Sequence, residues 1–466
     1  MWQFLPLGPV GAGDSPYAGT SVFAGNPLLV SLDALLAMGL LSAEVATDTS
    51  DSTRTCDFAR AKVIRERALR LAFDTFRTRR DRADYDVFLS ANGHWLEDFA
   101  TYAALKRHFD DRPFFQWPEP LRRREPQAVA AFRERNNAEV EFQRFVQWRF
   151  FRDLEALAAH AKSRGVRLVG DAPIYVAHDS CDVWAHPEFF LLDGSGDLSA
   201  VAGVPPDAFS DDGQLWGNPL YDWNVLERTG FGFFLARLAL MCKTLDCVRL
   251  DHFIGFSRYW AIPRGAKSAK EGSFHDVPGE KLFATIAREL GDVTMIAEDL
   301  GVLTHRVRRM RDQFKLPGMN ILQFSFNPAA SAEESRPHHY RQHSIVYTGT
   351  HDNDTTVGYF QGPPANASTA SQSAYAEERA FALAYLGLPA EATAQDAARA
   401  LVRTCFASHV TTAIVPMQDL LLQDRSARMN RPGTAEGNWG YRVLEGELTS
   451  ELAVSVRETL ARYGRT

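Results

Sequence analysis

Short apolar runs alternate along the chain with amphipathic stretches, a pattern that predicts buried parallel strands joined by helices. The predicted strands are Trp2–Leu7, Arg167–Val176, Cys247–Phe253, Thr294–Asp299, Asn320–Phe326, Ser344–Thr350 and Thr412–Asp419. Each is rich in Val, Ile, Leu, Phe or Tyr, and most end in polar or charged residues. Between them the spacing of apolar positions turns helical. From Glu139 to Ser163, Phe142, Phe145, Trp148, Phe151, Leu154 and Leu157 recur three apart, and Gly165 follows as a stop. Lys281–Leu290 ends at Gly291, Tyr375–Leu386 ends at Gly387, and a further helix starts from Thr393 as its N-cap. Repeated βα units favour an α/β fold, a (β/α)8 barrel, over a doubly wound sheet. No GxGxxG follows a strand, so the commonest cue for the doubly wound alternative is absent.

Two segments break the alternation within what otherwise reads as one domain over residues 1–466. Residues 30–140 are helical and polar, an inserted helical subdomain. Residues 190–225 are rich in proline and glycine, but Trp216, Tyr221 and Trp223 argue for an ordered, functional loop. Composition narrows the class without changing the fold. With 45% hydrophobic and 23% charged residues and a net charge of −7, the chain is an ordinary soluble globular protein. Its basic runs, such as Arg122–Arg123–Arg124, sit among acidic residues, so no nucleic-acid partner is implied. The five cysteines, Cys56, Cys181, Cys242, Cys247 and Cys405, form no CxxC and join no histidine cluster. They read as reduced, structural thiols of a cytoplasmic protein. The N-terminal run lacks the pattern expected of a signal peptide, and no apolar run has the length of a membrane span.

Three predicted strands finish in dense polar settings: VRLDHF, IAEDLG and YTGTHDND. In a barrel the C-terminal ends of the strands face one mouth, which would bring Asp251, Glu298 and Asp352 together. Side chains alternate along a strand, so Arg249 shares a face with Asp251 and holds it ionised, which suits a nucleophile. Glu298 follows the apolar run Met295–Ile296–Ala297, an approach that raises a carboxyl pKa toward that of a general acid. His252 and His351 stand beside Asp251 and Asp352 as donors to sugar hydroxyls. A single carboxylate after a strand is most often a helix cap or a salt-bridge partner. Three in barrel units, two flanked by histidine, point to a site. The His–Asp adjacencies lack the i, i+4 spacing of a metal-binding helix, so no metal is assigned.

These runs resemble the catalytic strand ends of the 4-α-glucanotransferases, the amylomaltases or disproportionating enzymes of the α-amylase superfamily. LPLGPVGAGDSPYAGTSVFAGNP, VGDAPIYVAHDSCDVWAHPEFF, AVAGVPPDAFSDDGQLWGNPLYDW, LPGMNILQFSF and ARMNRPG resemble further family motifs, in the family order. The resemblance spans nearly all 466 residues. It implies a retaining double displacement on α-1,4-glucans, with Asp251 as nucleophile, Glu298 as acid and Asp352 as the carboxylate gripping the ring hydroxyls. Arg249, His252 and His351 would support them, Tyr17 and Asp171 would close on the reacting sugar, and Asp207, Trp216 and Asn218 would lie in a loop covering the acceptor side. Implied partners are maltooligosaccharides and starch- or glycogen-derived glucans, with no cofactor, nucleic acid or membrane. An α-glucan hydrolase, or an inactive truncated glucan-binding remnant, is the alternative. The family usually begins with an extra strand and helix carrying a run of the HPTSLPG kind, which nothing here matches. Seven strands are therefore expected where a closed barrel has eight, and the first is expected to be lacking. Ala12 stands where the family often has an aromatic residue.

Overall fold

The computed structural model describes residues 1–47, 53–206, 212–363, 368–434 and 436–465. Its strands are β1 (Trp2–Gln3), β2 (Leu168–Ala172), β3 (Ala200–Val204), β4 (Gln214–Pro219), β5 (Cys247–Leu250), β6 (Arg258–Pro263), β7 (Ser273–Asp276), β8 (Met295–Ala297), β9 (Gly318–Ile321), β10 (Ser344–Tyr347) and β11 (Thr412–Ile414). Two sheets are parallel, with strand orders β1-β2-β5-β8 and β11-β10-β9. Six of their seven strands fall within the predicted apolar runs, while β9 begins at Gly318, two residues before its predicted run Asn320–Phe326, and no other parallel strand occurs among the described residues. The chain divides into two compact units. One comprises Met1–Ser50, Phe58–Glu298 and Leu303–Phe314, the other Asp51–Asp57, Asp299–Val302 and Lys315–Thr466.

In the first unit every residue of β2 and β5 is buried, which explains why these strands read as continuous apolar runs. Their register pairs Asp171 with Arg249, and the next strand pairs Arg249 with Ile296. Residues 58–77, 83–108 and 137–163 are long helices packed through aromatic rings, with Phe76 5.1 Å from both Phe145 and Trp148. The last of these helices stops where glycine allows it: Gly165 has φ 68°, the left-handed form common just past a helix end. Its other face grips the segment that follows β1. The buried Gln147 amide accepts from Gly25 N at 2.7 Å and donates to Gly25 O at 3.0 Å. A Cβ on Gly25 would stand 1.9 Å from the Phe150 ring, so only glycine fits this approach. Asp153 accepts from Ser31 N, and Asp182 accepts from Val22 N. Residues 15–31 are thereby fixed at several points.

The segment expected as a loop over 190–225 contains two strands. β3 and β4 pair antiparallel, and β3 also pairs with β6, giving a sheet of order β4-β3-β6-β7. The sequence did not announce them because AVAGV and QLWGNP carry glycine and show no two-residue apolar alternation.

In the second unit β9, β10 and β11 are backed by helices at 356–361, 369–385 and 394–407 around Leu322, Phe326, Val346, Phe360, Leu401 and Cys405. Thr393 caps the last of these helices through Asp396 N, as expected. All three predicted strands of this unit ran past the observed ends, β10 stopping at Tyr347. β11 stops at Ile414, and Pro416, which has no N–H for a ladder, caps a short helix at 417–420. β9 gives way to a 3-10 turn at 322–324. The helix predicted from Tyr375 starts earlier, at Thr369, because Ser368 accepts from Ser371 N and the small polar residues between offer no apolar period. No helix among the described residues is long and apolar enough to cross a membrane.

Replacing Gln147 by leucine leaves the shape and removes both amide partners of Gly25. We expect a loss of about 2–6 kcal/mol of stability, since each of the two buried backbone groups left unpaired costs about 1–3 kcal/mol. Denaturant unfolding reads it, and a change near zero would remove this anchor from the account.

Candidate active site

The site grows from the C-terminal ends of β2, β5 and β8. Past Leu250 the backbone leaves the ladder: Asp251 N still donates to Ala172 O at 3.1 Å, and His252 then turns left-handed at φ 49°, ψ 56°. A non-glycine residue held there is strained, by about 1–3 kcal/mol. That turn aims the His252 N–H at Glu298 Oε2, 2.7 Å away, and the Phe253 N–H at Glu298 O, 2.9 Å away. Glu298 N donates to Leu250 O at 3.0 Å. The polypeptide on both sides of the turn therefore positions the Glu298 carboxyl group.

On the other side of Asp251 stands a chain of charge. Arg249 Nη1 donates to Asp171 Oδ2 at 2.6 Å and to Asp251 Oδ1 at 3.1 Å. Tyr17 Oη donates to the same Asp171 oxygen at 2.7 Å. Arg249, Asp171 and Glu298 are buried, while the Asp251 side chain keeps a quarter of its surface exposed, enough for a substrate to reach it. Burial acts to lower the Arg249 pKa, but the charges of Asp171, Tyr17, Asp251 and Glu298 outweigh it, and the net shift is well upward. Burial, reinforced by the Asp171 charge, also raises Tyr17 well above the usual phenol range, so its proton stays in place to be donated. The Tyr17 position follows from local sequence. Ser15 Oγ accepts from Tyr17 N, Pro16 fills the first helical position, and a 3-10 turn at 16–18 presents the ring.

Burial pushes the His252 imidazole down to about 4, so the ring is neutral near pH 7. It meets the Trp216 ring edge-on, with centroids 4.9 Å apart, and Trp216 also lies 6.1 Å from Tyr175. Asn218 donates to Val176 O at 2.8 Å, which ties β4 to the chain leaving β2. The structure thus brings Tyr17, Asp171, Arg249, Asp251, His252 and Glu298 together, with Trp216 beside them. Asp207 lies outside the described residues. Asp352 and His351 belong to the second unit. There Asp352 Oδ1 accepts from Asn430 Nδ2 at 2.6 Å, stands 3.4 Å from His351 Nε2, and leaves about half its side chain exposed. His351 in turn lies against the Trp439 ring, centroids 5.9 Å apart.

Sequence reasoning passed over three of these supports. Asn430 lies in ARMNRPG, 78 residues from the carboxylate it holds, and no spacing rule links the two. Arg428 in the same run donates to Asp352 O at 2.7 Å. Arg237 is a buried arginine in the helix at 232–241, where it donates to Pro173 O at 2.6 Å within the DAPIY run and feels the charges of Asp171 and Asp251. An arginine on an otherwise apolar helix face was the one signal that pointed to it.

A family profile described as 4-alpha-glucanotransferase matches residues 1–448. A 4-alpha-glucanotransferase from Thermus thermophilus is 43% identical over 464 residues, covering 98% of this chain and 90% of the relative. One from Streptococcus pneumoniae is 39% identical over 467 residues, covering 100% and 90%. Among solved structures, an amylomaltase from Streptococcus agalactiae in complex with acarbose matches with a TM-score of 0.92 at 35% identity, covering 100% of this chain and 92% of that one. The α/β fold of the (β/α)8 barrel class expected from the strand pattern is the fold this match supports.

A pH prediction follows from His252. The unfolded chain takes up a proton at this residue near 6.5, whereas the folded chain holds it off until about 4. Stability is therefore lost as pH falls through that window, by an amount on the order of 1–2 kcal/mol between pH 7 and pH 5. His252→Asn, which tolerates the left-handed turn, should reduce the pH dependence of the denaturant midpoint over this range. An unchanged slope would contradict a buried neutral imidazole.

Proposed function

The chain belongs to the 4-alpha-glucanotransferase family, and from that premise we propose how its residues divide the transfer of an α-1,4-glucan segment. The observation that carries the reading is the arrangement around Asp251. Arg249 stands on one of its oxygens, and the next residue's N–H reaches the Glu298 carboxyl group. An ion-paired carboxylate suits attack, and a buried carboxyl group suits proton delivery.

In the first step Asp251 attacks the anomeric carbon of the donor glucan. The glycosidic bond breaks as Glu298 gives its proton to the leaving oxygen, which departs as a new 4-hydroxyl. The glycosyl group remains as an ester on Asp251, inverted at that carbon. In the second step Glu298 takes the proton from the 4-hydroxyl of an acceptor glucan, the acceptor oxygen attacks, and Asp251 leaves with the α configuration restored. Arg249 and Tyr17 hold Asp171, which hydrogen-bonds the reacting sugar. Neutral His252 donates to a hydroxyl without adding charge. Asp352, with His351 and Asn430 around it, binds and distorts the ring through its hydroxyls. Trp216 and Asn218, with Asp207, serve the acceptor and keep water from competing. Neither step needs a metal or cofactor, because the carboxylates supply nucleophile, acid and base.

The substrates we assign are maltooligosaccharides and starch- or glycogen-derived glucans, which fits the acarbose held by the streptococcal amylomaltase. We place the enzyme in the cytoplasm, a reducing compartment that suits Cys181, Cys242, Cys247 and Cys405 remaining outside any disulfide.

Incubation with maltotriose alone is expected to give a ladder of shorter and longer glucans, resolved by chromatography. Glucose and maltose without any longer product would overturn transfer in favour of hydrolysis. Glu298→Gln should lower turnover about 10²–10⁴-fold, the usual range for losing a general acid. Asp251→Asn should reduce it to background, and ladder formation at wild-type rate by either variant would refute these assignments.

A further inference from the structure

Within the second unit, the loop after β9 carries a second cluster of polar donors. Glu333, His338 and His339 each offer one ligand atom, and these atoms lie within 4.8 Å of one another. We propose that they form a surface site for a divalent transition-metal ion of the zinc class, with the fourth position open to water.

The distances fit that ion. Zinc binds imidazole nitrogen and carboxylate oxygen at about 2.0–2.2 Å, so two donors at neighbouring corners of its tetrahedron stand about 3.3–3.5 Å apart. Glu333 Oε1 is 3.1 Å from His339 Nε2 and 3.5 Å from His338 Nε2. One carboxylate oxygen thus already faces both imidazoles at nearly the spacing the ion requires. Two nitrogen donors also choose the class, since calcium and magnesium prefer oxygen shells.

The surroundings orient these ligands. A metal on His338 Nε2 requires that ring's proton on Nδ1, and Tyr385 Oη stands 3.0 Å from Nδ1 to accept it. The two rings also stack, with centroids 5.9 Å apart and planes at 15°. Partners of this kind behind a histidine ligand fix its tautomer and direction. Pro337 begins the 3-10 turn that carries both histidines, and their ring centroids are 4.3 Å apart. Arg336, almost wholly buried, anchors that turn by donating to Ser325 O at 2.5 Å and Asn327 O at 2.6 Å, with its guanidinium over the Phe381 ring. Arg336 Nε also stands 3.8 Å from Glu333 Oε2, which leaves Oε1 as the oxygen turned to the histidines. The anchored turn contacts the helix at 369–385 through Tyr385 and Phe381, so a bound ion would fasten the loop where the protein already holds it.

Zinc chloride titrated into chelator-treated protein, followed by calorimetry, tests the site. The expected result is one equivalent bound in the micromolar range. His338→Ala/His339→Ala together should abolish it, and Glu333→Gln should weaken it at least tenfold. Tyr385→Phe should weaken it by about tenfold, the lower bound for loss of a ligand's hydrogen-bond partner. These variants should keep wild-type transfer on maltotriose, which shows that they fold. Zinc binding left unchanged in the double histidine variant, or no binding below millimolar zinc in the wild type, would overturn the proposal.

Discussion

One nitrogen of the Arg249 guanidinium is shared between two carboxylates, Asp171 at 2.6 Å and Asp251 at 3.1 Å. Without that cation, two negative groups would face each other in a buried setting. Removing one partner from a buried ion pair costs about 3–5 kcal/mol, because the other charge is left uncompensated. The rest of the first unit is arranged around this sharing. Asp171 is held from a second direction by Tyr17. Tyr17 is carried by a segment that Gln147, Asp153 and Asp182 fasten at Gly25, Ser31 and Val22. The long helix at 137–163 therefore supports the segment that carries Tyr17 through the Gln147 and Asp153 side chains. Small misplacements of such groups carry large rate penalties.

The second constraint is a turn of backbone. Asp251 and Glu298 come from different strands, yet the residue after Asp251 donates its N–H to the Glu298 carboxyl group. The left-handed conformation of His252 makes this possible, and its strain is sustained by Phe253, which is fully buried and bonded to Glu298 O. Asp251 and Glu298 are thereby linked through the polypeptide itself. Their surroundings differ in the sense that divided roles require: one carboxylate pairs with an arginine and is partly open, the other is buried beside apolar β8.

Much of this was legible in the sequence, for identifiable reasons. Strands buried on both faces read as largely apolar runs, so β2, β5, β8 and β10 declared themselves. The two-residue period of a strand was enough to put Arg249 on the same face as Asp251, whereas Tyr17 came only from the family resemblance. The β3-β4-β6-β7 sheet was not legible, because β3, β4 and β6 are only partly buried and β7 is exposed along its whole length. Nor was the hold of Asn430 and Arg428 on Asp352, since amide and guanidinium contacts across some 76–78 residues leave no local periodicity. Element ends failed where side chains compete with the ladder, as at Pro416 and Ser368. Patterning reports burial; it does not report who pairs with whom.

The central claim is that Asp251 becomes covalently attached to the transferred sugar. Trapping with a glucosyl donor that forms the ester rapidly and releases it slowly, followed by peptide mass spectrometry, tests this most directly. The account predicts a single glycosylated peptide with the label on Asp251, and none in Asp251→Asn. A label on Asp352 or Glu298, or an unlabelled enzyme that still transfers glucan from that donor, would contradict it.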